Sequence, residues 1–386
     1  DPYGGVVLMF IFGISSLVVS YFIGRRLFGT FWGVFFVALL SLSPPLIAQS
    51  RFIWSPYPST FFILLSFYSI LRIKEKGIWI FLSAFFSALI YHFEFAIAVP
   101  MVVSLIVYTV FILHFRRIRQ YVLLSLGFVT ATIPMIIFEV RHDFMAIRGI
   151  LSYISHPSKV EQSRSFLEYQ LDHLRSFFQA FSDSFAHLQK FPILLVLVLL
   201  ITSIVIIFKA RRKYKIDEFF KFLFILPFVT FFILMFLRNS VYQYYQYHLI
   251  IAYNIFFVFV FYRLSIPKWR EQIAQWSLFV LISISILFYI PQFLQMFLYD
   301  VKDYGGDAKI KGKVDAIDYI YNDAKGQKFG LLVFTPPVYT YPYDYILYWK
   351  GKNTYSYVPP KEKRDTTYLL IEVDHDKPWS YKGWLD

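Results

Sequence analysis

Apolar stretches of about 15 to 22 residues recur along the first three quarters of the chain, each bounded by charged residues or by clusters of Pro and Tyr. A helix of about 20 residues crosses the hydrocarbon layer of a membrane, and a shorter apolar helix crosses it where the bilayer thins. The pattern therefore predicts about ten transmembrane helices. Their expected ranges are 5–23, 30–48, 58–72, 77–91, 95–114, 120–138, 191–208, 219–237, 248–262 and 277–298.

One long stretch between the sixth and seventh predicted spans, residues 139–190, breaks this series. Within it, segment 164–188 carries apolar residues at helical spacing, which predicts an amphipathic helix lying on the membrane surface. The apolar residues are Phe166, Leu167, Leu171, Leu174, Phe177, Phe178, Phe181 and Phe185.

In the last part of the chain, apolar and polar residues alternate as in a water-soluble domain. The pattern indicates one amphipathic helix, two strands and a second short helix. We therefore expect a transmembrane helical domain, residues 1–299, followed by a small α/β domain, residues 300–386. The expected elements are a helix over 309–324 that Gly326 ends, strands over 328–335 and 367–373, and a short helix over 343–351.

Composition supports a membrane protein. Hydrophobic residues make up 58% of the chain and charged residues only 16%, whereas soluble domains have about 25% charged residues and about 45–50% apolar ones. The expected fold is mainly α, a polytopic transmembrane helical bundle. The chain has no cysteine, which excludes disulfides, a thiolate nucleophile and cysteine metal sites.

The net charge of +13 is unevenly distributed. Residues 300–386 carry 13 basic and 13 acidic residues, so the excess lies in the helical part, and a nucleic-acid partner is not expected. Alternate loops carry the excess, and basic loops face the cytoplasm. Residue 1 and the α/β domain are then outside the cytoplasmic (inner) membrane. Because the chain would begin outside, we expect a further span before Asp1.

Four predicted outer loops contain residues that suit ligand binding or catalysis. Two of them lie in the first hundred residues, at 50–62 and 91–95. The first fits an ordinary turn with two prolines and an interfacial Trp, but Arg51 is its only basic residue and suits an anionic headgroup or phosphate. In the second, His92 and Glu94 are either functional, as ionisable groups at membrane depth usually are, or solvated at the interface.

The other two loops are 138–144 and 238–249. The first contains Arg141 and Asp143 beside Glu139 and His142, a set that is also typical of a mutually neutralising network at the membrane interface. In the second, an aromatic belt explains the tyrosines but not the amides and cations between them. Rings with amides are typical of a sugar-binding surface, and Arg and His bind phosphate. The residues concerned are Arg238, Gln243, Tyr244, Tyr245, Gln246 and His248.

Several segments occur in a recognisable order: DPYGGVVLM at 1–9, GRRLFG at 24–29, ALLSLSPPLIAQSRFIWSPYPSTFF at 38–62, FEVRHDF at 138–144, YYQYHLIIAYN at 244–254, DYIYNDAKGQKF at 318–329 and YILYWKGK at 345–352. Together they resemble the GT-C class of membrane glycosyltransferases, specifically bacterial relatives of the protein O-mannosyltransferases and of the aminoarabinose-to-lipid-A transferases. The resemblance covers most of the chain and rests on the order and spacing of the segments.

The resemblance implies an enzyme that moves a sugar from a polyprenyl-phosphate donor to a protein, lipid or glycan acceptor at the outer membrane face, in contact with membrane lipid. It implies that the catalytic carboxylate precedes Asp1. No cofactor and no metal ion are expected. We assign donor-phosphate binding to Arg51, Arg238, His248 and His92. We assign sugar or acceptor contacts to Glu94, Arg141, Asp143, Tyr244, Tyr245 and Gln246.

Two other classes of protein are compatible with a polytopic chain. A transporter uses charges inside its spans, broken helices and often internal repeats; the predicted spans have essentially no charge and no repeat, which disfavours it. A non-catalytic membrane scaffold with a passive outer domain is the third interpretation.

Overall fold

The computed structural model describes residues 4–155, 165–184, 218–235, 241–264, 276, 280, 287, 290–291, 294–299, 301, 310–336, 339–373, 377 and 379–385. The described part is mostly helical. It divides into two compact units. We call residues 5–289 the helical unit and residues 290–386 the α/β unit.

The described part of the helical unit consists of helices, and short turns join those between α1 and α8. A 3-10 turn, Ile90–His92, extends α5, and a π turn, Tyr108–Ile112, extends α6; a further 3-10 turn, Gln243–Gln246, leads into α11. The helices are α1 (Gly4–Phe28), α2 (Thr30–Ser41), α3 (Pro44–Gln49), α4 (Ser59–Leu71), α5 (Gly77–Leu89), α6 (Phe95–Val107), α7 (Ile118–Arg141), α8 (Met145–Ser155), α9 (Phe166–Asp183), α10 (Phe219–Met235) and α11 (Tyr247–Leu264).

Four helical stretches are long and apolar enough to cross a membrane: Gly4–Phe28, Phe95–Ile112, Ile118–Arg141 and Gln243–Arg263. Shorter apolar helices occupy Thr30–Ser41, Ser59–Leu71, Gly77–His92 and Phe219–Met235. These eight lie where the sequence predicts spans. The predicted span 191–208 lies outside the described residues, and only single positions of 277–298 are described. The described part thus contains four candidate spans of full length, not ten.

The predicted second span, 30–48, is not one helix. α2 ends at Ser41 and α3 begins at Pro44, with Ser43 in an extended conformation (φ −73°, ψ 116°). Pro44 and Pro45 have no amide hydrogen to donate within a helix, and a proline disfavours helical geometry in the residue before it. The proline pair therefore breaks the span at the point where the chain has to turn.

Small residues let neighbouring helices approach closely, as in membrane bundles generally. A Cβ added to Gly127 of α7 would lie 2.4 Å from the Phe81 carbonyl oxygen and 2.8 Å from Ala84 Cβ, both on α5. On the other side of α5, the Ser87 hydroxyl is 2.7 Å from that of Ser66 on α4. The pairing of α4, α5 and α7 therefore depends on side chains that take little space or bond to each other.

Ion pairs join three loops at one end of the helical unit. Arg26, in the last turn of α1, pairs with Glu75, which Arg72 also contacts (Nε to Oε2, 2.7 Å). Lys74 pairs with Glu218, just before α10. The Arg72 hydrogen bond lowers the pKa of Glu75, so the carboxylate is charged and holds two cations. All these residues belong to the loops that the sequence predicts to be cytoplasmic.

Within segment 164–188, residues Phe166–Asp183 form a helix, α9, but its orientation differs from the prediction. Ser176 accepts a hydrogen bond from Gln246 Nε2 (3.0 Å), and the Ser184 carbonyl accepts one from Asn254 Nδ2 (3.3 Å). The partners advance together along both helices, so α9 runs parallel to α11, a candidate span, and not across it. Polar groups on one face of α9 form hydrogen bonds with α11. An exposed apolar stripe of α9 faces away from them: Leu167, Leu171, Leu174 and Phe178.

The α/β unit has the elements that the sequence predicts. Its two strands are parallel, with Gly330 opposite Thr367 and Phe334 opposite Ile371. The first helix ends at Asp323, and Gly326 lies in the turn that follows, in the left-handed region (φ +82°) that glycine adopts readily. The elements are α12 (Ile310–Asp323), β1 (Gly330–Phe334), α13 (Tyr341–Lys350), β2 (Thr367–Ile371) and α14 (Lys382–Leu385).

The core of the α/β unit lies between the two longer helices and the strands. Ile317 of α12, Phe329 before β1 and Ile346 of α13 are buried there. A partly buried ion pair, Lys350 to Asp318 (2.9 Å), joins the two helices. The unit therefore has an apolar core of its own.

We predict that Gly127→Ala separates α5 from α7 and destabilises the helical unit by about 1–3 kcal/mol, the usual cost of overpacking. The physical reason is that the new methyl group would meet the backbone of α5, which cannot move aside as a side chain can. Thermal unfolding of the purified protein measures the effect. Gly149→Ala is the control, because its methyl group meets no atom within 4 Å; equal stability of the two variants would contradict the close packing.

Candidate functional site

Five aromatic side chains gather at the end of α4 that is opposite the ion pairs. The Trp54 ring lies 4.7 Å from Tyr244 and 5.2 Å from Tyr57, measured between ring centroids. Tyr244 contacts Tyr245 at 4.6 Å, and Tyr57 approaches Tyr247 at 6.3 Å. We call these five residues the aromatic cluster. α4 has 13 residues, so about 20 Å of helix separates the cluster from the ion pairs.

Two turns position these rings. The first connects α3 to α4, where Tyr57 donates its amide hydrogen to the Trp54 carbonyl (3.1 Å) and Ser59 donates its hydroxyl hydrogen to the Pro56 carbonyl. The second is the 3-10 turn Gln243–Gln246 before α11. Proline and short-range hydrogen bonds fix such turns, which explains why rings from distant parts of the sequence meet with defined geometry.

Gln49, at the end of α3, lies beneath the cluster and is only 5% exposed. Its Oε1 accepts a hydrogen bond from the Thr60 hydroxyl, and its side chain interacts with Tyr247, which interacts in turn with Tyr57. Gln49 Nε2 makes no hydrogen bond of normal geometry with the described residues. Gln49 therefore connects the end of α3 to α4 and α11.

A cavity of about 180 Å³ lies beside Gln49, between α1, α3 and α4. Its wall is mostly apolar, with the hydroxyls of Ser16, Ser50 and Thr60 among the lining groups. Phe10 and Ile14 of α1 also line it, and both are exposed on the surface of the bundle. The cavity therefore lies at the side of the helical unit, next to exposed apolar side chains.

Glu94 connects the aromatic cluster to the loop between α5 and α6. It lies close enough to Tyr244 for its charge to act on the tyrosine hydroxyl. One carboxylate oxygen accepts a hydrogen bond from the Ala96 amide (3.1 Å) and caps α6. Burial raises the pKa of Glu94, although the hydrogen bond from Ala96 opposes that shift. The group is therefore a half-buried carboxylate beside tyrosine hydroxyls.

The loop at 138–144 is a neighbour of the loop at 91–95, because the charge of Glu139 acts on the Tyr91 hydroxyl. The Glu139 carboxylate accepts hydrogen bonds from the amides of Ala146 (3.2 Å) and Ile147 (3.1 Å), so it caps α8. Arg141 is exposed. In the described part of the chain no ion pair joins these charged residues, so the structure does not support a mutually neutralising network.

Two other proposed ligands in these loops have local roles. Asp143 is exposed and takes a left-handed conformation (φ 51°) in the turn between α7 and α8. His92 Nε2 lies 2.8 Å from the Ala131 carbonyl oxygen; a carbonyl only accepts, so this nitrogen carries the hydrogen. The ring ties the turn after α5 to α7, while the residue itself stays exposed.

The remaining predicted phosphate ligands are Arg51, Arg238 and His248, and the two that the structure describes differ in exposure. Arg51 is exposed in the turn after α3, whereas Arg238 lies outside the described residues. His248 is 0% exposed. Its Nε2 is 2.7 Å from Thr230 Oγ1, and that hydroxyl donates to the Leu226 carbonyl, so it accepts the hydrogen from His248. The expectation of a surface phosphate ligand is corrected for His248: its position in the first turn of α11 directs it into α10.

Gln246 is corrected in the same way. It is 1% exposed, and its Nε2 donates to Ser176 on α9. Tyr244 and Tyr245, in contrast, belong to the aromatic cluster and stay partly exposed. Successive residues of a helical turn point in different directions, and the tyrosine-rich sequence does not indicate which of them are buried.

Sequence reasoning missed Gln49, Tyr57, Thr60 and Tyr247. The one available signal was Gln49, a polar residue at the end of an apolar stretch, which the sequence analysis counted as a span boundary. In the described part of the chain, no group of three or more His, Asp or Glu side chains could hold a metal ion. Comparisons with protein families, characterised proteins and solved structures find no match for the chain.

We predict that His248 is structural. Thr230→Val leaves the buried His248 N–H without its acceptor, which costs about 1–3 kcal/mol, so the unfolding temperature falls. Thr132→Val is the matched control, since the Thr132 hydroxyl bonds only within its own helix (Phe128 carbonyl, 2.9 Å; Val129 carbonyl, 3.3 Å). An unchanged unfolding temperature for Thr230→Val, together with weaker binding of a phospholipid donor, would contradict this assignment.

Proposed function

We propose that the protein is a membrane glycosyltransferase that moves a sugar from a polyprenyl-phosphate carrier to an acceptor at the outer face of the cytoplasmic membrane. The observation that carries the proposal is the placement of the aromatic cluster and the half-buried Glu94 next to a mostly apolar cavity at the side of the helical unit. A lipid-linked sugar needs such an arrangement, because its chain, its phosphate and its sugar differ in polarity.

The cavity suits part of the donor's isoprenoid chain. Its wall is mostly apolar, and burial of apolar surface is favourable by about 25 cal/mol per Å². Exposed side chains of α1, Phe10 and Ile14, form part of that wall, so a chain that arrives from the lipid enters without crossing a polar barrier.

Arg51 suits the phosphate. It follows α3 directly, in the same turn that carries Trp54 and Tyr57. A guanidinium group binds two phosphate oxygens through a planar fork and stays protonated. Transfer leaves negative charge on the departing polyprenyl phosphate, and a fixed cation in a poorly hydrated site stabilises that charge. Arg238 and His92 are further phosphate contacts in this proposal.

The aromatic cluster and Glu94 suit the sugar. Ring faces of Trp54 and Tyr244 offer apolar area to the C–H groups of a pyranose, and tyrosine hydroxyls and the carboxylate offer hydrogen bonds to its hydroxyls. Glu94 then contacts the sugar or the acceptor.

The proposed membrane orientation agrees with the positions of the ion pairs. Residues of three basic loops meet in ion pairs at one end of the helical unit, and the positive-inside rule assigns that end to the cytoplasm. The aromatic cluster at the other end of α4 is then outside, where a lipid-linked donor and its acceptor meet.

A transporter is the second candidate, and the break between α2 and α3 is the observation that favours it. Interrupted helices form the substrate sites of many transporters, and this break lies next to the cavity. A transporter would move a solute across sealed vesicles without consuming a lipid-linked sugar.

The test of the proposed function is binding of polyprenyl phosphate to the 386-residue chain in nanodiscs, compared with the polyprenol that lacks the phosphate. We expect the phosphate form to bind more tightly, and Arg51→Gln to weaken it about tenfold or more, since charge-assisted hydrogen bonds contribute about 1.5–3 kcal/mol. Native mass spectrometry or a fluorescent polyprenyl analogue measures the affinity.

Arg148→Gln is the matched control for this test, because Arg148 is an exposed cation on α8 that lies outside the aromatic cluster. An equal loss in both variants indicates general attraction between cations and the phosphate. Equal affinity of the wild-type chain for polyprenol and polyprenyl phosphate would refute the proposed donor, and solute uptake without donor consumption would favour the transporter.

We also predict an acid limb in the binding of a polyprenyl-phosphate-linked sugar that depends on Glu94. Burial raises the pKa of Glu94, so its protonation begins at a higher pH than the usual value of about 4.3. The affinity should fall as pH drops through this raised pKa, and Glu94→Gln should remove the limb. Glu139→Gln, which alters a carboxylate that only caps α8, should keep it; a limb that persists in Glu94→Gln would assign it to another group.

A further inference from the structure

The α/β unit has a cavity of its own, with a volume of about 220 Å³. Three elements surround it: strand β1, the first half of α13 and the segment at 358–361 that precedes β2. Trp384 of α14 closes one side. Drug-sized ligands occupy pockets of roughly 300–1,000 Å³, so this cavity suits a smaller ligand, of the size of one sugar ring.

A polar group of three residues forms one side of this cavity. Asp344 Oδ2 accepts hydrogen bonds from the Thr340 hydroxyl (2.9 Å) and from Lys361 Nζ (2.7 Å). Lys361 keeps its side chain largely exposed, whereas that of Asp344 is only 25% exposed. Asp344 Oδ1 has no hydrogen-bond partner in the described part of the chain. The group therefore offers an ammonium donor, a hydroxyl and a carboxylate within one small volume.

The opposite side of the cavity is apolar. Leu332, Leu347 and Val358 contribute aliphatic surface. The Trp384 indole is 37% exposed, and its ring lies 5.6 Å from Phe334, so contact with Phe334 holds it in place. The cavity lining therefore combines an aromatic ring face with hydrogen-bonding polar groups.

The polar and the apolar parts of the lining together favour one class of ligand. A phosphate needs excess positive charge, but Asp344 balances the charge of Lys361. A purely apolar ligand would leave the Asp344 carboxylate without any additional hydrogen-bond donor, which is costly when the group is buried. A sugar ring fits both sides, because it carries vicinal hydroxyls that donate and accept and C–H faces that pack on an indole.

We propose that this cavity is a saccharide-binding site, formed by Asp344, Thr340, Lys361 and Trp384. In terms of the proposed function, it holds a sugar residue of a glycan acceptor, and in this respect the inference rests on that function. Saccharide binding itself is independent of sugar transfer. A chain that binds saccharides here but never binds polyprenyl phosphate would refute the donor proposal and leave this site in place.

Saturation-transfer difference NMR on the complete chain in nanodiscs tests the site, since detergents with sugar headgroups would compete. The probes are methyl glycosides of hexoses, N-acetylhexosamines and pentoses, each alone. We expect at least one probe to bind saturably. Asp344→Asn should weaken it about tenfold, the equivalent of about 1.4 kcal/mol, and Trp384→Leu should reduce saturation of the C–H face.

Two matched variants in the same unit serve as controls. Asp365→Asn and Trp379→Leu change exposed residues that do not line the cavity, and both should bind the probe as the unaltered chain does. Asp344→Asn is nearly isosteric, and an unchanged unfolding temperature shows that it folds. The proposal is overturned if no probe binds saturably, if both cavity variants bind normally, or if the controls lose binding equally.

Discussion

The helical unit has to satisfy its polar groups from within, because hydrocarbon offers no hydrogen bonds to a transmembrane segment. Several of its hydroxyls follow this rule. Ser16 and Ser20 donate to carbonyls one turn earlier in α1 (2.7 Å each), and Ser66 pairs with Ser87 across two helices. An unpaired polar group in such surroundings costs several kcal/mol, so polar residues inside the bundle determine which helix faces can meet.

This constraint also explains where a ligand can bind. Inside the bundle His248 and Gln246 each have a partner on another helix, and their burial leaves no access for a substrate. Near the ends of the helices, by contrast, turns expose rings and carboxylates side by side. Trp54, Tyr244 and Glu94 come from three different turns, and none of them has to be buried completely. Helix ends are thus the part of the unit that is free to carry chemistry.

Much of the fold could be predicted from the sequence, because apolar periodicity and glycine or proline positions act locally. Eight predicted spans coincide with apolar helices, and both strands of the α/β unit lie where the pattern of alternation predicts them. The break at Pro44 also had a local signal, the pair of prolines, but hydropathy alone does not reveal it.

The site was harder to predict, since it depends on which face of each helix packs inward. The exposed apolar stripe of α9 gave the impression of a surface helix, but the hydrogen bonds from Gln246 and Asn254 align it with α11. Similarly, Gln49 and Thr60 are unremarkable in sequence and meet only when α3 and α4 fold back on each other. Contacts between distant segments of this kind have no local signature.

The central claim is that the turn after α3 and the turn before α11 meet in one site, and cysteine cross-linking tests it most directly. The chain has no native cysteine, so a variant with both Trp54→Cys and Tyr244→Cys contains only the two introduced thiols. Cross-linking between them can be measured in native membranes. A short thiol-reactive cross-linker should join this pair rapidly, and it should not join Trp54→Cys to Arg72→Cys, at the other end of α4. Efficient linkage of the second pair, or none of the first, would contradict the site described above.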